Sequence, residues 1–208
     1  MSHPDPLEHA LRQAAHRMEP DLPDIYPAAA AAGLLDVAYA RLDSPVGQLL
    51  LAATPTGLAR IVYLDGPAGE DAALEELANR ISPRVLAAPG KLDRPRRELD
   101  EYFAGRRHGF DLQLDWELMT GFARRIMAAT AAIPYGSVST YRDVAAQAGS
   151  PRGARAAGNA LGSNPLPIVL PCHRVLHAGG GLGGYTGGLD RKRTLLAIES
   201  GQAPLPAQ

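Results

Sequence analysis

The spacing of hydrophobic and polar residues changes along the chain, and the first clear pattern is one of strands. Three short runs, 36–41, 48–53 and 58–64, alternate or are uniformly apolar, and the turn sequences Ser44-Pro45-Val46-Gly47 and Thr54-Pro55-Thr56-Gly57 separate them. Short strands joined by turns that contain Pro and Gly are typical of an antiparallel meander. The pattern therefore predicts a small antiparallel sheet.

Helical periodicity follows these strands. The segment 69–81 has apolar residues at helical spacing, and we expect it to turn four side chains inward, those of Ala72, Leu74, Leu77 and Ile81. A second helix is predicted over 92–103 and a further strand over 110–114. Helices packed on a sheet form an α/β domain. No cluster of catalytic groups lies in this region, so we interpret it as a scaffold.

The second half of the chain is helical by pattern. Helices are predicted over 122–132, 141–148 and 153–161. Thr140 stands where it can cap the second of these, with Asp143 as the partner in a short capping box. The last two helices, joined by a short turn with Gly, have the outline of a helix-turn-helix.

These patterns predict two domains between a leader and a tail. We expect a partly ordered leader over 1–33, the α/β scaffold domain over 34–115, a mainly α-helical domain with the helix-turn-helix over 116–202, and a tail over 203–208. A chain of 208 residues is long enough for two small domains.

Composition narrows the classes of protein. The chain has 46% hydrophobic residues but no run of 18 or more of them, so we expect no membrane span. The N-terminus lacks a basic region followed by an apolar core, which argues against a secretory signal. A single cysteine and no export signal favour a cytoplasmic location.

Charge is divided unequally between the two halves. The residues from 116 to 208 contain nine basic and four acidic side chains, and the rest contain 12 basic and 18 acidic ones. The basic half therefore favours a polyanionic partner, although any chain split in two shows some imbalance. The run Arg191-Lys192-Arg193 is interpreted as a solvated or phosphate-facing cluster.

Cys172 is the only cysteine, and it lies in the sequence Pro171-Cys172-His173-Arg174. A lone cysteine cannot form an internal disulfide and is a poor start for a structural metal site. It is therefore either a buried apolar thiol or a nucleophile. The adjacent His173 and Arg174 favour the nucleophile, because nearby cationic groups stabilise the thiolate.

Three segments in order carry a resemblance to a known family. The segment Asn164-Pro165-Leu166-Pro167-Ile168-Val169-Leu170-Pro171-Cys172-His173-Arg174-Val175 resembles the active-site segment of the O6-alkylguanine-DNA alkyltransferases. The segments Ile133-Pro134-Tyr135-Gly136-Ser137-Val138-Ser139-Thr140-Tyr141 and Gly183-Gly184-Tyr185-Thr186-Gly187-Gly188-Leu189 extend the similarity, which covers about residues 122–199.

The resemblance implies DNA repair by a self-inactivating transferase. An alkyl group would pass from O6-alkylguanine, and from O4-alkylthymine, in duplex DNA to Cys172. The target oxygen lies inside the duplex, so the nucleotide must be flipped out. The resemblance implies a monomer without a cofactor. Zinc in some relatives uses N-terminal cysteines that are absent here, so we expect no metal.

The resemblance also implies the roles of individual residues in the chemistry. Cys172 would be the nucleophile and His173 the base, acting directly or through one water. Glu199 would orient His173 and stabilise its imidazolium, although without the resemblance the sequence favours a surface acid at a helix end. Asn164 matches the asparagine that organises the turn around the site.

Five further residues match the parts of the family that handle DNA and the base. Arg155 would enter the gap left by the flipped nucleotide, and Tyr141 would push the neighbouring phosphate. Tyr185 would donate to the guanine, the Thr186 backbone N–H would lie near O6, and Val175 would be an apolar contact.

Two other classes of protein share these features. Alkyltransferase-like lesion binders resemble the family but lack the cysteine, so Cys172 argues against them. A DNA-binding alkylation sensor or transcription regulator could use the same thiol, but regulators of that kind carry a cysteine-rich zinc domain that this chain does not have.

Overall fold

The computed structural model describes residues 33, 35–64 and 69–201, and the described residues from 35 onward belong to one compact unit. The predicted leader 1–33, apart from Gly33, and the predicted tail 203–208 lie outside the described residues.

The sheet is mixed and not purely antiparallel. Its strands are β1 (Val37–Leu42), β2 (Leu49–Thr54), β3 (Gly57–Tyr63) and β4 (Val85–Ala87), in the order β3-β2-β1-β4. The predicted meander is present, because β1 pairs with β2 and β2 with β3 in antiparallel fashion. β4 pairs with β1 in parallel. The prediction of an antiparallel sheet missed this strand, whose direction follows from a helical crossover after β3.

Helix α1 (Gly69–Arg80) makes that crossover, and α2 (Asp93–Phe103) follows a 3₁₀ turn at Pro89–Leu92. The predicted inward face of α1 is partly wrong, since Ala72 is exposed and Ala73 is buried. Ala73 and Leu77 are one helical turn apart and pack under the sheet together with the strand residues Val37 and Leu50.

The predicted strand over 110–114 is wrong. This segment forms a single bridge, between Leu58 and Leu114. Leu58 N donates to Gln113 O at 2.9 Å, and Asp115 N donates to Leu58 O at 2.9 Å. Gly57 permits this approach, because a side chain there would collide with the Gln113 carbonyl. The backbone of 113–115 therefore passes close to that of β3 and forms two hydrogen bonds with Leu58, without the repeated pairing of a β-strand.

The second half contains four α-helices, a 3₁₀ turn at Cys172–Arg174 and two short parallel strands among the described residues. The helices and strands are α3 (Gly121–Ala131), β5 (Ser139–Thr140), α4 (Tyr141–Gln147), α5 (Ala154–Gly162), β6 (Val175–Leu176) and α6 (Leu189–Glu199). The predicted cap is confirmed: Thr140 Oγ1 accepts from Asp143 N at 3.2 Å and donates to Asp143 Oδ2 at 2.6 Å. α4 and α5 form the predicted helix-turn-helix.

The sheet is covered on both faces, which explains why the residues of β2 are apolar without interruption from Leu49 to Ala53. Leu49 and Leu51 of β2 point into the larger core, together with residues of the second half such as Ile126 and Leu195. Leu50 points to the other face, under α1. Among the described helices, none has the length and apolarity needed to span a bilayer.

Candidate active site

Asn164 holds together the loop that carries Cys172. Its Oδ1 accepts from Leu166 N at 3.0 Å. Its Nδ2 donates to Leu170 O at 2.8 Å and to Cys172 Sγ at 3.2 Å. One buried amide thus connects the start of the loop to its end and to the sulfur itself. These three contacts fit the predicted role of Asn164 as organiser of the turn.

The same loop contains an unusual backbone conformation. Ile168 is fully buried and has a φ of 74°, a region that branched side chains rarely adopt. Val169 N donates to Pro167 O at 2.9 Å, which closes a tight turn around it. Ile61 N of β3 donates to Pro165 O at 2.8 Å, so the sheet supports the loop. Packing therefore offsets the local strain that precedes Cys172.

Cys172 lies in the wall of a cavity of about 650 Å³ and is 6% exposed. Burial raises the pKa of its thiol to about 11, although the Asn164 hydrogen bond and the charge of Lys192 oppose the shift. Neither the His173 imidazole nor the Arg174 guanidinium is among the groups that oppose it. Both side chains are committed to Glu199 instead.

Glu199 is the centre of a buried hydrogen-bond network. Its Oε1 accepts from Tyr102 OH at 2.7 Å and lies 2.8 Å from His173 Nε2. The Arg174 guanidinium contacts both carboxylate oxygens, with Nε at 2.9 Å from Oε2 and Nη2 at 2.9 Å from Oε1. Gly136 N donates to Oε2 at 3.2 Å. Burial disfavours ionisation, but the hydrogen bonds from His173 and Arg174 outweigh it and hold the pKa of Glu199 at about 2.

The carboxylate determines the state of His173. Because Glu199 is ionised, the proton of the neutral imidazole is best placed on Nε2, which leaves Nδ1 with a free lone pair. Nδ1 is buried and has no hydrogen-bond partner among the described residues. Burial lowers the pKa of His173 and outweighs the opposing effect of Glu199. A neutral ring with an unused basic nitrogen can accept a proton.

Lys192 is fully buried, so the interpretation of Arg191-Lys192-Arg193 as a solvated or phosphate-facing cluster is wrong for Lys192, while Arg193 is exposed. Lys192 Nζ donates to the backbone carbonyls of Val175 (2.6 Å), Leu182 and Gly184 (3.4 Å). Burial lowers the pKa of Lys192 to about 8, and Cys172 opposes this shift. α6 therefore places a positive charge behind the thiol, where the charge lowers the cost of forming a thiolate.

The helix-turn-helix contributes one side of the cavity. Tyr141, at the start of α4, and Arg155, in the first turn of α5, both line it. Tyr141 OH donates weakly to Gly184 O at 3.5 Å, and its ring lies 5.2 Å from that of His177. A side chain at Gly183 would come within 2.5 Å of the Tyr141 hydroxyl, so glycine is required there.

The glycine-rich loop forms another part of the cavity wall. Tyr185 and Thr186 line the cavity. Tyr185 OH lies 2.8 Å from Tyr63 OH, and Thr186 Oγ1 donates to Gly162 O at 2.8 Å. Val175 does not line the cavity; it is fully buried, and its carbonyl accepts from Lys192. Of the five residues predicted to handle DNA and the base, it is the one that does not line the cavity.

Sequence reasoning missed several residues of this site. Tyr63 and Tyr102 belong to the predicted scaffold, and no local pattern connects them with Cys172. His177 also lines the cavity. Arg174 was considered only as a neighbour of the thiol. Its permanent positive charge was a signal that it needs a carboxylate partner, but the sequence does not identify Glu199 as that partner. No group of three or more His, Cys, Asp or Glu side chains suited to a metal occurs among the described residues.

Comparisons with known proteins give a consistent result. Family models described as "6-O-methylguanine DNA methyltransferase, ribonuclease-like domain" and "6-O-methylguanine DNA methyltransferase, DNA binding domain" match residues 37–116 and 121–201. The methylated-DNA–protein-cysteine methyltransferase of Mycobacterium tuberculosis is 40% identical over 166 residues, 80% of this chain and 94% of the relative. The constitutive enzyme of that name from Bacillus subtilis is 34% identical over 164 residues, 77% and 94% of the two chains. A crystal structure of Mycobacterium tuberculosis OGT in complex with DNA has a TM-score of 0.69 at 39% identity, covering 80% of this chain and 95% of that one.

Proposed function

This chain belongs to the 6-O-methylguanine DNA methyltransferase family, and we propose that it removes alkyl groups from the O6 atom of guanine in duplex DNA. Its activity is that of a methylated-DNA–protein-cysteine methyltransferase, which repairs DNA by direct transfer of the alkyl group to the protein. The acceptor that we propose is Cys172. The observation that carries this choice is the position of its thiol in the wall of the cavity, next to the His173–Glu199 pair.

The proposed reaction balances without a cofactor. The sulfur of Cys172 forms a bond to the alkyl carbon while the bond between that carbon and O6 breaks, and the electron pair returns to the guanine. The thiol proton passes to Nδ1 of His173, the guanine anion takes up one proton from solvent and leaves as the neutral base, and the imidazolium then returns its proton to solvent. No hydrogen bond joins Sγ to the imidazole among the described residues, so we propose that one water carries the proton between them.

The cavity is large enough for the target base. Pockets of roughly 300–1,000 Å³ hold small organic ligands, and this one has about 650 Å³. We propose that the nucleotide rotates out of the duplex into it. Tyr185 would donate to a ring nitrogen and the Thr186 N–H would lie near O6. O4-alkylthymine is the second substrate that we propose, because it too presents an alkyl group on an oxygen beside a ring nitrogen.

Duplex DNA would meet the helix-turn-helix side of the cavity. Arg155 is exposed, and both Arg155 and Tyr141 line the cavity. We propose that Arg155 fills the gap left by the flipped nucleotide, since a guanidinium is planar and can stack on bases. We propose that the protein acts as a monomer, because one chain supplies every residue of the site. We also propose a cytoplasmic location. The two domains that we propose extend over 34–115 and 116–202.

The test is the stoichiometry of transfer. Incubated with excess duplex that contains O6-methylguanine, the protein should gain the mass of one methyl group, located on the peptide that contains Cys172. Product should reach a plateau proportional to the amount of protein, because a thioether has no route back to the thiol. Cys172→Ala should bind the same duplex without any gain in mass. Sustained turnover, or a methyl group on the alanine variant, would contradict the proposal.

A further inference from the structure

A second tyrosine lies directly behind the wall of the cavity. Tyr63 is the last residue of β3, in the predicted scaffold, and it does not line the cavity itself. Its hydroxyl oxygen lies 2.8 Å from that of Tyr185, which does line the cavity. The two rings are 6.3 Å apart and meet edge-on at 64°. The sheet therefore contacts the polar end of a side chain that lines the cavity.

The contact depends on a glycine. A Cβ atom at Gly187 would lie 2.5 Å from Cε2 of Tyr63 and 2.9 Å from Cε1 of Tyr185. Real Cβ atoms do not come so close to aromatic carbons, so only glycine lets the loop pass against both rings. The buried backbone at 187 thus packs against both rings of the pair.

The guanidinium of Arg191 lies over the ring of Tyr63. Its guanidinium carbon lies 4.5 Å from the centre of the Tyr63 ring. Arg191 Nε donates to Val46 O and its Nη1 to Gly187 O, each at 2.7 Å, so the cation is held in place. A cation over the face of a phenol withdraws electron density from the ring. The Tyr63 hydroxyl therefore becomes the better donor of the two.

The direction of the hydrogen bond between the tyrosines follows from this difference. A phenol hydroxyl has one hydrogen and can also accept. If Tyr63 donates its hydrogen to the oxygen of Tyr185, the hydrogen of Tyr185 remains available to the cavity. Burial raises the pKa of Tyr185 well above its ordinary value, so this hydrogen is retained at any physiological pH.

We propose that Tyr63 is a positioning residue that makes Tyr185 a hydrogen-bond donor toward the base and so selects bases with an acceptor at that place. The inference rests on the proposed function and deepens it. The Thr186 N–H is proposed to lie at O6, so the acceptor for Tyr185 is a ring nitrogen of the guanine.

The experiment measures the transfer rate constant at saturating duplex for Tyr63→Phe, which keeps the ring and removes the hydroxyl. One hydrogen bond is worth about a three- to tenfold change in rate, and we expect a loss of that size with an unchanged dissociation constant for DNA. In the Tyr185→Phe background, Tyr63→Phe should cause no further loss. Tyr39→Phe, on the same sheet but against the other core cluster, should match the wild type.

A series of modified bases separates positioning from a structural role. The series contains three analogues of O6-methylguanine, in which N1, N3 or N7 is replaced in turn by C–H. One of the three analogues therefore lacks the nitrogen that accepts from Tyr185. On that base the wild type and Tyr63→Phe should react equally fast, and on the other two the variant should remain slower. Equal losses on all three bases, additive losses in the double variant, or a wild-type rate for Tyr63→Phe would overturn the inference while the proposed function stands. Failure of the wild type to accept any methyl group would overturn both.

Discussion

Replacing His173 with alanine should change how the rate of alkyl transfer depends on pH. Burial raises the pKa of Cys172 to about 11, so at pH 7 about one thiol in 10⁴ is ionised if its proton must leave to solvent, since each pKa unit is a factor of ten. In the proposed mechanism, neutral His173 of the wild type accepts the proton inside the site. The proton count of the Cys172–His173 pair then does not change, and this step contributes no dependence on pH above the lowered pKa of His173.

The variant loses that internal acceptor. Its rate should rise about tenfold for each pH unit, so the ratio of the wild-type rate to the variant rate should shrink about 100-fold between pH 7 and 9. The assay is single-turnover transfer from an O6-methylguanine duplex at constant ionic strength. Lys192, with a pKa of about 8, loses its charge in the same range. Both proteins contain it, so its effect cancels in the ratio.

His177→Ala is the matched control. His177 is exposed and lines the same cavity, and its removal should leave the shape of the pH profile as in the wild type. A ratio for His173→Ala that stays constant with pH would refute the role of His173 as proton acceptor. A wild-type rate that itself climbs tenfold per unit would show that the thiolate forms by loss of the proton to solvent.

Three further predictions, two of them with a control variant, test other contacts. Tyr102→Phe removes a hydrogen bond to an ionised carboxylate and should lower the free energy of unfolding in urea by about 2 kcal/mol. The hydroxyl of Tyr135 donates to the neutral carbonyl of Ile198, so Tyr135→Phe should lower the free energy of unfolding by about half as much. Equal losses for the two variants would contradict an ionised Glu199 as the acceptor for Tyr102. The pKa of Glu199 is lowered from 4.5 to about 2, so its contribution to stability is complete above pH 4.5 and is lost as the pH falls toward 2. Glu199→Gln should abolish this acid-dependent loss, which amounts to about 3 kcal/mol in the free energy of unfolding measured with urea. If the free energy of unfolding of the variant falls with pH as steeply as that of the wild type, Glu199 is not the group responsible. Arg155→Ala should slow transfer from duplex far more than transfer from free O6-benzylguanine, because a free base needs no flipping. Arg142→Ala, on the exposed side of α4, should affect both substrates little, and equal losses for Arg155→Ala would place that residue in the chemistry or the fold.

The sequence by itself determined the local elements and much of the site. Turns with Pro and Gly separated the first three strands, the capping pair Thr140 and Asp143 marked the start of α4, and a lone cysteine beside a histidine drew attention to residue 172. These features depend on neighbours within a few positions, so they can be read along the chain. The place of β4 could not be read in this way, because the direction of a strand depends on where its crossover returns.

Only the tertiary structure decided the partners and the charge states of the site. Tyr102 meets Glu199 across 97 positions and Tyr63 meets Tyr185 across 122, and packing alone brings such residues together. Burial, which no local pattern specifies, raises the pKa of Cys172 and lowers that of His173. Lys192 shows the same limit: in sequence it belongs to a charged run, but in the fold it lies inside, since three backbone carbonyls replace water around its ammonium group.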